Sequence, residues 1–270
     1  MKSIQSVGSN DVAAVYGGPQ GELYRLLMGQ QLHVGGMNAT LDLAERADIR
    51  KGQKGVDLCC GNGGSMRVLV RFRGVGSMTG IDLAPRNVER GTDLCRQEGL
   101  SDRIEFAVGD ACATPLPSGS ADFVWGEDAW CYVPEKAKLI AEAARLVRPG
   151  GTIAFSDWVE GPVELSAEEA ERALTLMSFP NVLDVAGYTE ILSANGCEVL
   201  AAEDTGRLTG FFDLALDMAE RQFTYDMLAT MQFRTDVLKL VTDNFRLLGD
   251  VARQRKLIQA RFIARRAVKG

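Results

Sequence analysis

Histidine is nearly missing from this 270-residue chain: His33 stands alone, which excludes a metal centre built on clustered imidazoles. The six cysteines (Cys59, Cys60, Cys95, Cys112, Cys131 and Cys197) form no CxxC pair. They read as reduced, core-filling thiols of a cytoplasmic protein, with no metal expected. No apolar run approaches the roughly 20 residues of a membrane span. The polar start, Met1-Lys2-Ser3-Ile4-Gln5, lacks the apolar core of a signal peptide. Positive charge is in deficit as well. Thirty Lys and Arg face 36 Asp and Glu, a net charge of −6, so a phosphate-tracking surface and a nucleic-acid partner are disfavoured. Repeats, low-complexity tracts and Pro-rich linkers are absent too. With 46% hydrophobic residues, the chain reads as a single α/β domain over 1–270.

Residues 1–48 read as a helical lead-in or lid, interrupted at Gly17-Gly18 and Gly35-Gly36, with a helix over Met37–Ala47. From about residue 55, short apolar runs alternate with amphipathic stretches, the signature of βαβ units and a parallel sheet. Seven strands are expected, over Gly55–Leu58, Ser77–Ile81, Ile104–Val108, Ala121–Trp125, Thr152–Trp158, Cys197–Glu203 and Leu257–Arg265. Helices fall near Ser65–Arg73, Pro85–Glu98, Glu135–Val147 and Gly187–Asn195, and the turn Arg148-Pro149-Gly150-Gly151 stops the third of these. Two segments, 160–186 and 205–255, are surplus to a plain alternating sheet and have helical spacing. Their Met and Phe stripe (Phe211, Leu214, Met218, Phe223, Met227, Met231) predicts helix packing. Helices inserted at the carboxyl end of a parallel sheet are also where a cap over a site is built.

The strongest motif is Val56-Asp57-Leu58-Cys59-Cys60-Gly61-Asn62-Gly63-Gly64, an apolar strand that ends in a carboxylate and enters a glycine-rich turn before a helix. Glycine lets backbone N–H groups approach a ligand closely. Such a loop alone also suits a dinucleotide. The surrounding acids point elsewhere. Asp57 would repel a pyrophosphate but welcome a cationic amino-acid ligand. Asp82 ends the second strand, where a carboxylate accepts bonds from ribose hydroxyls, and Asp110 ends the third, within reach of an adenine amino group. Three acids at successive strand ends describe a ligand with a sugar, a base and a positive charge.

Over residues 35–204 this pattern resembles the class I S-adenosylmethionine-dependent methyltransferases, including the Arg148-Pro149-Gly150-Gly151 turn before the fifth strand. The resemblance implies a Rossmann-like, doubly wound, seven-stranded and mostly parallel sheet with helical lid insertions, and S-adenosylmethionine as cofactor. It places Asp57 and Gly61 near the methionine part, Asp82 on the ribose, and Asp110 and Ala111 beside the adenine. Cys59, Gly63, Leu83 and Glu127 complete the implied cofactor set. One departure stands out: the family's usual first glycine is Cys59 here, so the turn must accept a Cβ.

The fourth strand ends in Trp125-Gly126-Glu127-Asp128-Ala129-Trp130-Cys131-Tyr132, two acids among aromatic rings that attract cationic groups. With His33-Val34-Gly35-Gly36 and Gly187-Tyr188, this run is similar to the sarcosine/dimethylglycine N-methyltransferases. That likeness implies an amino-acid-like amine as acceptor, with O-, S- or C-methylation of another metabolite as alternatives. His33, whose side chain ordinarily titrates near neutrality, is the candidate base; Tyr16, before Gly17-Gly18, and Asp128 are further catalytic candidates. Trp130, Tyr132 and Asp157 are the candidate acceptor contacts. The expected partner is a small molecule, with neither nucleic acid nor membrane, and a homodimer left open. A nicotinamide-dependent oxidoreductase and a non-catalytic adenosylmethionine-binding protein are the competing readings.

Overall fold

The computed structural model describes residues 2–3, 25–26 and 29–268. Tyr16 and half of the expected lead-in lie outside the described residues. The first two described residues form a short strand, β1 (Lys2–Ser3), paired antiparallel with β7 (Asn181–Val182).

Seven longer strands make the main sheet: β2 (Lys54–Leu58), β3 (Ser77–Asp82), β4 (Ile104–Val108), β5 (Ala121–Glu127), β6 (Val147–Glu160), β8 (Cys197–Asp204) and β9 (Leu257–Arg266). Their order is β4-β3-β2-β5-β6-β9-β8, with β9 antiparallel to both neighbours and every other pair parallel. The expected Rossmann-like methyltransferase architecture is therefore present. Strand succession runs outward from β2 in one direction and from β5 in the other. In such sheets, the crevice beyond the carboxyl ends of the two strands at this reversal is the ligand site.

Helix α1 (Gly36–Arg46) precedes β2, and α2 (Gly64–Val68) follows it and widens into a π-helical turn through Arg73. Next come α3 (Pro85–Gln97), with Pro85 in its first turn, and α4 (Lys136–Leu146). Helix α4 gives way at once to β6, which is longer than expected and takes in Arg148-Pro149-Gly150-Gly151 as an irregularity. Register jumps from Ala121↔Val147 to Phe123↔Thr152, with Gly150 at φ 76°. The surplus segments hold α5 (Ala167–Met177), opened by a Ser166/Glu169 capping box, then α7 (Leu208–Arg221), α8 (Tyr225–Thr230) and α9 (Thr235–Arg253). Between them α6 (Val185–Ala194) is capped by Asp184.

Burial follows the alternation of the strands. Phe123 and Trp125 of β5 enter a layer with Leu43, Met66 and Leu69, while Val124 enters the opposite layer with Leu58, Ile140, Phe155 and Phe262. Strands covered on both faces are buried throughout, as in β2 after its first residue, where only Asp57 interrupts an apolar run. A third cluster, with Val34, Trp158, Leu174, Phe179, Phe212 and Val251, holds α5, α7 and α9 against the carboxyl end of β6. No described helix is long and apolar enough to cross a membrane.

Candidate active site

Beyond the ends of β2 and β5 the chain encloses a cavity of about 420 Å³. Its floor follows from the β2 motif. Cys59 takes φ 63°, Gly61 φ 54° and Gly63 φ 73°, so three alternate residues sit in the left-handed region. A non-glycine residue there carries on the order of 1–2 kcal/mol of strain, and Cys59 accepts it. The turn thus keeps the geometry that glycine ordinarily serves. Arg67, buried on α2, donates to the Asn62 carbonyl at 2.9 Å and holds the loop from below. A Cβ on Gly64 would come within 2.6 Å of the Gln30 carbonyl, so this glycine lets residues 30–31 lie against the loop.

Three carboxylates face this floor. Asp82 accepts from Gly61 N at 2.8 Å, Ala84 N at 2.9 Å and Asn87 Nδ2 at 3.2 Å, and burial still raises its pKa. Asp57 is 3% exposed, and no donor meets its carboxylate among the described residues. Burial first, then the Glu127 and Asp82 charges, push its pKa well above the usual range. Glu127 accepts from Thr40 Oγ1 at 2.8 Å and Trp125 Nε1 at 3.1 Å. Lys138, the cation on the rim, is largely exposed and pairs with Glu135. The cavity floor therefore has an excess of negative charge that a cationic ligand would neutralise.

A second cavity of about 90 Å³ adjoins the first and shares Leu32, His33, Asp128 and Tyr132 with it. The rest of its wall is apolar: Val34, Trp158 and Met177 with Phe211, Phe212, Leu214, Ala215 and Met218 of α7, and Phe245 of α9. The Met and Phe stripe is therefore more than helix packing, since Phe211, Leu214 and Met218 line this pocket.

His33 stands where the cavities meet, 5% exposed. Its Nε2 lies 3.2 Å from Thr40 Oγ1 and 3.6 Å from Glu127 Oε2. The single hydroxyl proton of Thr40 goes to Glu127, so toward Gln31 Nε2, at 3.2 Å, and toward His33 the Thr40 oxygen can only accept. Gln31 Nε2 also stands 3.5 Å from His33 Nε2, so the whole network gathers on that ring nitrogen and none of it reaches Nδ1. Nδ1 is buried and has no hydrogen-bond partner among the described residues.

Asp57, Cys59, Gly61, Asp82, Leu83, Asp110, Ala111 and Glu127 all line the larger cavity, and His33, Asp128 and Tyr132 line both. Asp110 is exposed at the rim, where its Oδ1 accepts from Cys112 N at 2.8 Å. Gly63 is not on the wall: it packs under the Phe106 ring, which a Cβ would meet at 2.5 Å, so it shapes the loop from behind. Trp130 also departs from its expected role. It is fully buried, donates to the Leu58 carbonyl at 3.1 Å and stacks on Phe155 at 4.1 Å, which makes it a core anchor and not an acceptor contact. Asp157 is likewise enclosed behind the site. It accepts from Cys131 N at 2.9 Å and Tyr188 Oη at 2.5 Å, and burial raises its pKa to about 6 against the pull of Lys136. Asp128 lies at φ 51°, and its carboxylate is occupied by Val34 N, Ser156 Oγ and Gln259 Nε2.

Gln31, Thr40 and Gln259 escaped the sequence reading. Thr40, in the helix after His33, and Gln259, on the antiparallel strand, left no signal in the sequence.

A family model described as a methyltransferase domain matches residues 56–155. The chain is 32% identical over 203 residues to the 27-O-demethylrifamycin SV methyltransferase of Amycolatopsis mediterranei, covering 70% of this chain and 74% of that one. It is 33% identical over 178 residues to an Oryza sativa subsp. japonica protein described as a chloroplastic tocopherol O-methyltransferase, covering 58% of this chain and about half, 49%, of that protein. In structure it is similar to a Galdieria sulphuraria protein described as a sarcosine dimethylglycine methyltransferase. The TM-score is 0.82 at 20% identity, with 93% of this chain and 98% of that one covered, which speaks for the fold.

Proposed function

The chain belongs to the S-adenosylmethionine-dependent methyltransferases that act on small molecules, and from that premise we propose that its acceptor is an apolar molecule bearing a hydroxyl group, methylated on oxygen with His33 taking up the proton. The observation that carries this reading is the buried Nδ1 of His33, without a partner among the described residues, on a side chain that lines both an anionic cavity and an apolar one.

The residues of the larger cavity fit S-adenosylmethionine. Asp57 and Glu127 would face its positive charge, Asp82 its ribose hydroxyls, and Leu83, Asp110 and Ala111 would border the rest of the nucleoside. When bound, it supplies a methyl group already activated on a sulfonium. What the chain must add is alignment, dryness and a place for one proton. Alignment of this kind is worth about 7–11 kcal/mol in favourable cases.

The apolar pocket would exclude water from the acceptor and hold its body against Phe211, Phe212 and Met218. His33 Nδ1 would accept the hydroxyl proton as the new C–O bond forms. The nearby Glu127 carboxylate, reached directly and through Thr40, would then stabilise the resulting imidazolium. Among the described residues, the wall offers neither Lys nor Arg to an amino acid's carboxylate. The amine acceptor implied by the sarcosine/dimethylglycine likeness thus has the fold behind it and less of the pocket, while two of the relatives above are named for O-methylation. Six free thiols accord with a cytoplasmic setting.

The test is a product-mass assay with S-adenosylmethionine and two acceptor sets, hydroxylated aromatics such as 2-naphthol and substituted hydroquinones, and the amines glycine, sarcosine and dimethylglycine. Methyl ethers are expected. Methylated amines without any ether refute the proposal.

A further inference from the structure

Gln259 lies on β9, far from the motifs that define the cofactor cleft, with its side chain wholly buried. Its amide nitrogen donates to both oxygens of Asp128, at 2.8 and 2.7 Å, and reaches the Val34 carbonyl at 3.4 Å. Its amide oxygen accepts from Thr205 Oγ1 at 2.7 Å. That hydroxyl in turn accepts from Arg207 N at 3.3 Å, and Thr205 N donates to the Gln259 carbonyl at 2.8 Å. A carboxylate on one side and a hydroxyl donor on the other allow the amide one orientation.

The two ends of this chain of bonds meet different parts of the site. Thr205 stands just ahead of α7, which supplies Phe211, Phe212 and Met218 to the apolar pocket. Asp128 accepts from Val34 N at 2.8 Å and from Ser156 Oγ at 2.9 Å, so it grips the residue next to His33. Asp128 does this from a left-handed backbone position, φ 51°, which needs surrounding bonds to hold it.

We propose that Gln259 is a positioning residue for methyl transfer, clasping the start of α7 to the Leu32–Val34 segment through Thr205 and Asp128, so that the closed apolar pocket and the placed His33 ring form one cooperative arrangement. The proposal rests on the reading of His33 as proton acceptor. Breaking the amide's bonds uncouples the two ends, each left with its remaining bonds, because no other side chain joins Thr205 to Asp128 among the described residues.

The test uses the full chain, ¹⁵N-labelled, with S-adenosylhomocysteine as the bound probe. His33 is the sole histidine, so its imidazole signals assign themselves. In Gln259→Leu, the Val34 and Thr205 amides are expected to exchange about tenfold faster or more, while Val124 in the middle of β5 keeps its rate. The His33 ring signals broaden or split in the same variant. Gln259→Glu sets two carboxylates face to face, and they cannot both ionise at that distance. Its Val34 protection is therefore expected to return at about pH 5 and to vanish at about pH 8, after correction for intrinsic exchange. The other titratable groups around Asp128 (Asp157, the Cys131 thiol and His33) are the same in every variant. Unchanged Val34 exchange in Gln259→Leu overturns the proposal, and so does an acceleration that Val124 shares, which marks general loosening. The Kd of S-adenosylhomocysteine on the same wild-type sample reads the cofactor cleft separately. A wild type that fails to bind it sinks the functional reading, whatever the exchange pattern.

Discussion

Replacing Asp57 by Asn should push ligand affinity and ligand-free stability in opposite directions. The carboxylate is 3% exposed at the end of β2, no donor meets it among the described residues, and burial with the Glu127 and Asp82 charges raises its pKa well above the ordinary value. The ligand-free protein must hold this group either ionised without a partner or protonated against its solution preference. Both states cost folding free energy, and the amide avoids both. Relief of that desolvation and of the repulsion from Glu127 and Asp82 is expected to give a net gain of about 1 kcal/mol, which in a chain of this size raises Tm by about 2–4 °C. The bound cation loses a charge-assisted contact worth about 1.5–3 kcal/mol, so Kd for S-adenosylmethionine should rise about 10- to 150-fold. The pH dependence has a definite sign. The folded pKa lies above the unfolded one, so this group's contribution to ligand-free stability falls as pH rises from the ordinary carboxylate value through the folded pKa. Affinity for the cation falls in the opposite sense, as acid protonates Asp57. Isothermal titration across pH and calorimetry without ligand measure both. A variant with lower Tm and unchanged Kd would refute the assignment of Asp57 as an uncompensated anion awaiting a cation.

Other expectations follow from the remaining geometry. His33→Gln keeps a polar group near Thr40 but removes the base, so turnover of a hydroxylated acceptor should drop about 10²- to 10⁴-fold while the Kd of S-adenosylmethionine changes little; steady-state kinetics beside titration separate the two. Phe211→Ala trims the apolar wall, and KM for an apolar acceptor should rise about 5- to 30-fold at near-constant cofactor affinity. Asp157, with its pKa raised to about 6 from 3.8, favours its protonated form in the fold, so it subtracts stability as pH climbs through that window, by about 3 kcal/mol in all. Asp157→Asn should flatten that part of the profile in urea melts at about pH 4.5 and pH 7, and an unaltered slope would place the titration elsewhere.

The cofactor side of the site was legible because local pattern carries it. An apolar run ending in an acid is a strand end, and parallel strands joined by helices bring such ends to one edge. Asp57, Asp82 and Glu127 therefore converge without any long-range contact being specified. Trp130 and Asp157 look the same in sequence as the residues that line the cavities. One additional turn of the chain after β5 carries the indole under β2, and the inward pleat of β6 turns Asp157 toward Tyr188. Residue type and position gave no way to tell inward from outward there.

By itself, then, the sequence determined the seven strands, the glycine turn with its strained Cys59 and the anionic floor, all products of periodicities within about 30 residues. Only the tertiary structure decided that His33 Nδ1 has no partner among the described residues, that α7 supplies an apolar wall, and that Gln259 joins the two. Those outcomes rest on contacts such as Val34 to Asp128, 94 residues apart, and Gln259 to Asp128, 131 apart. No short-range pattern records such pairings, because they arise where an antiparallel strand and an inserted helical segment close over the sheet.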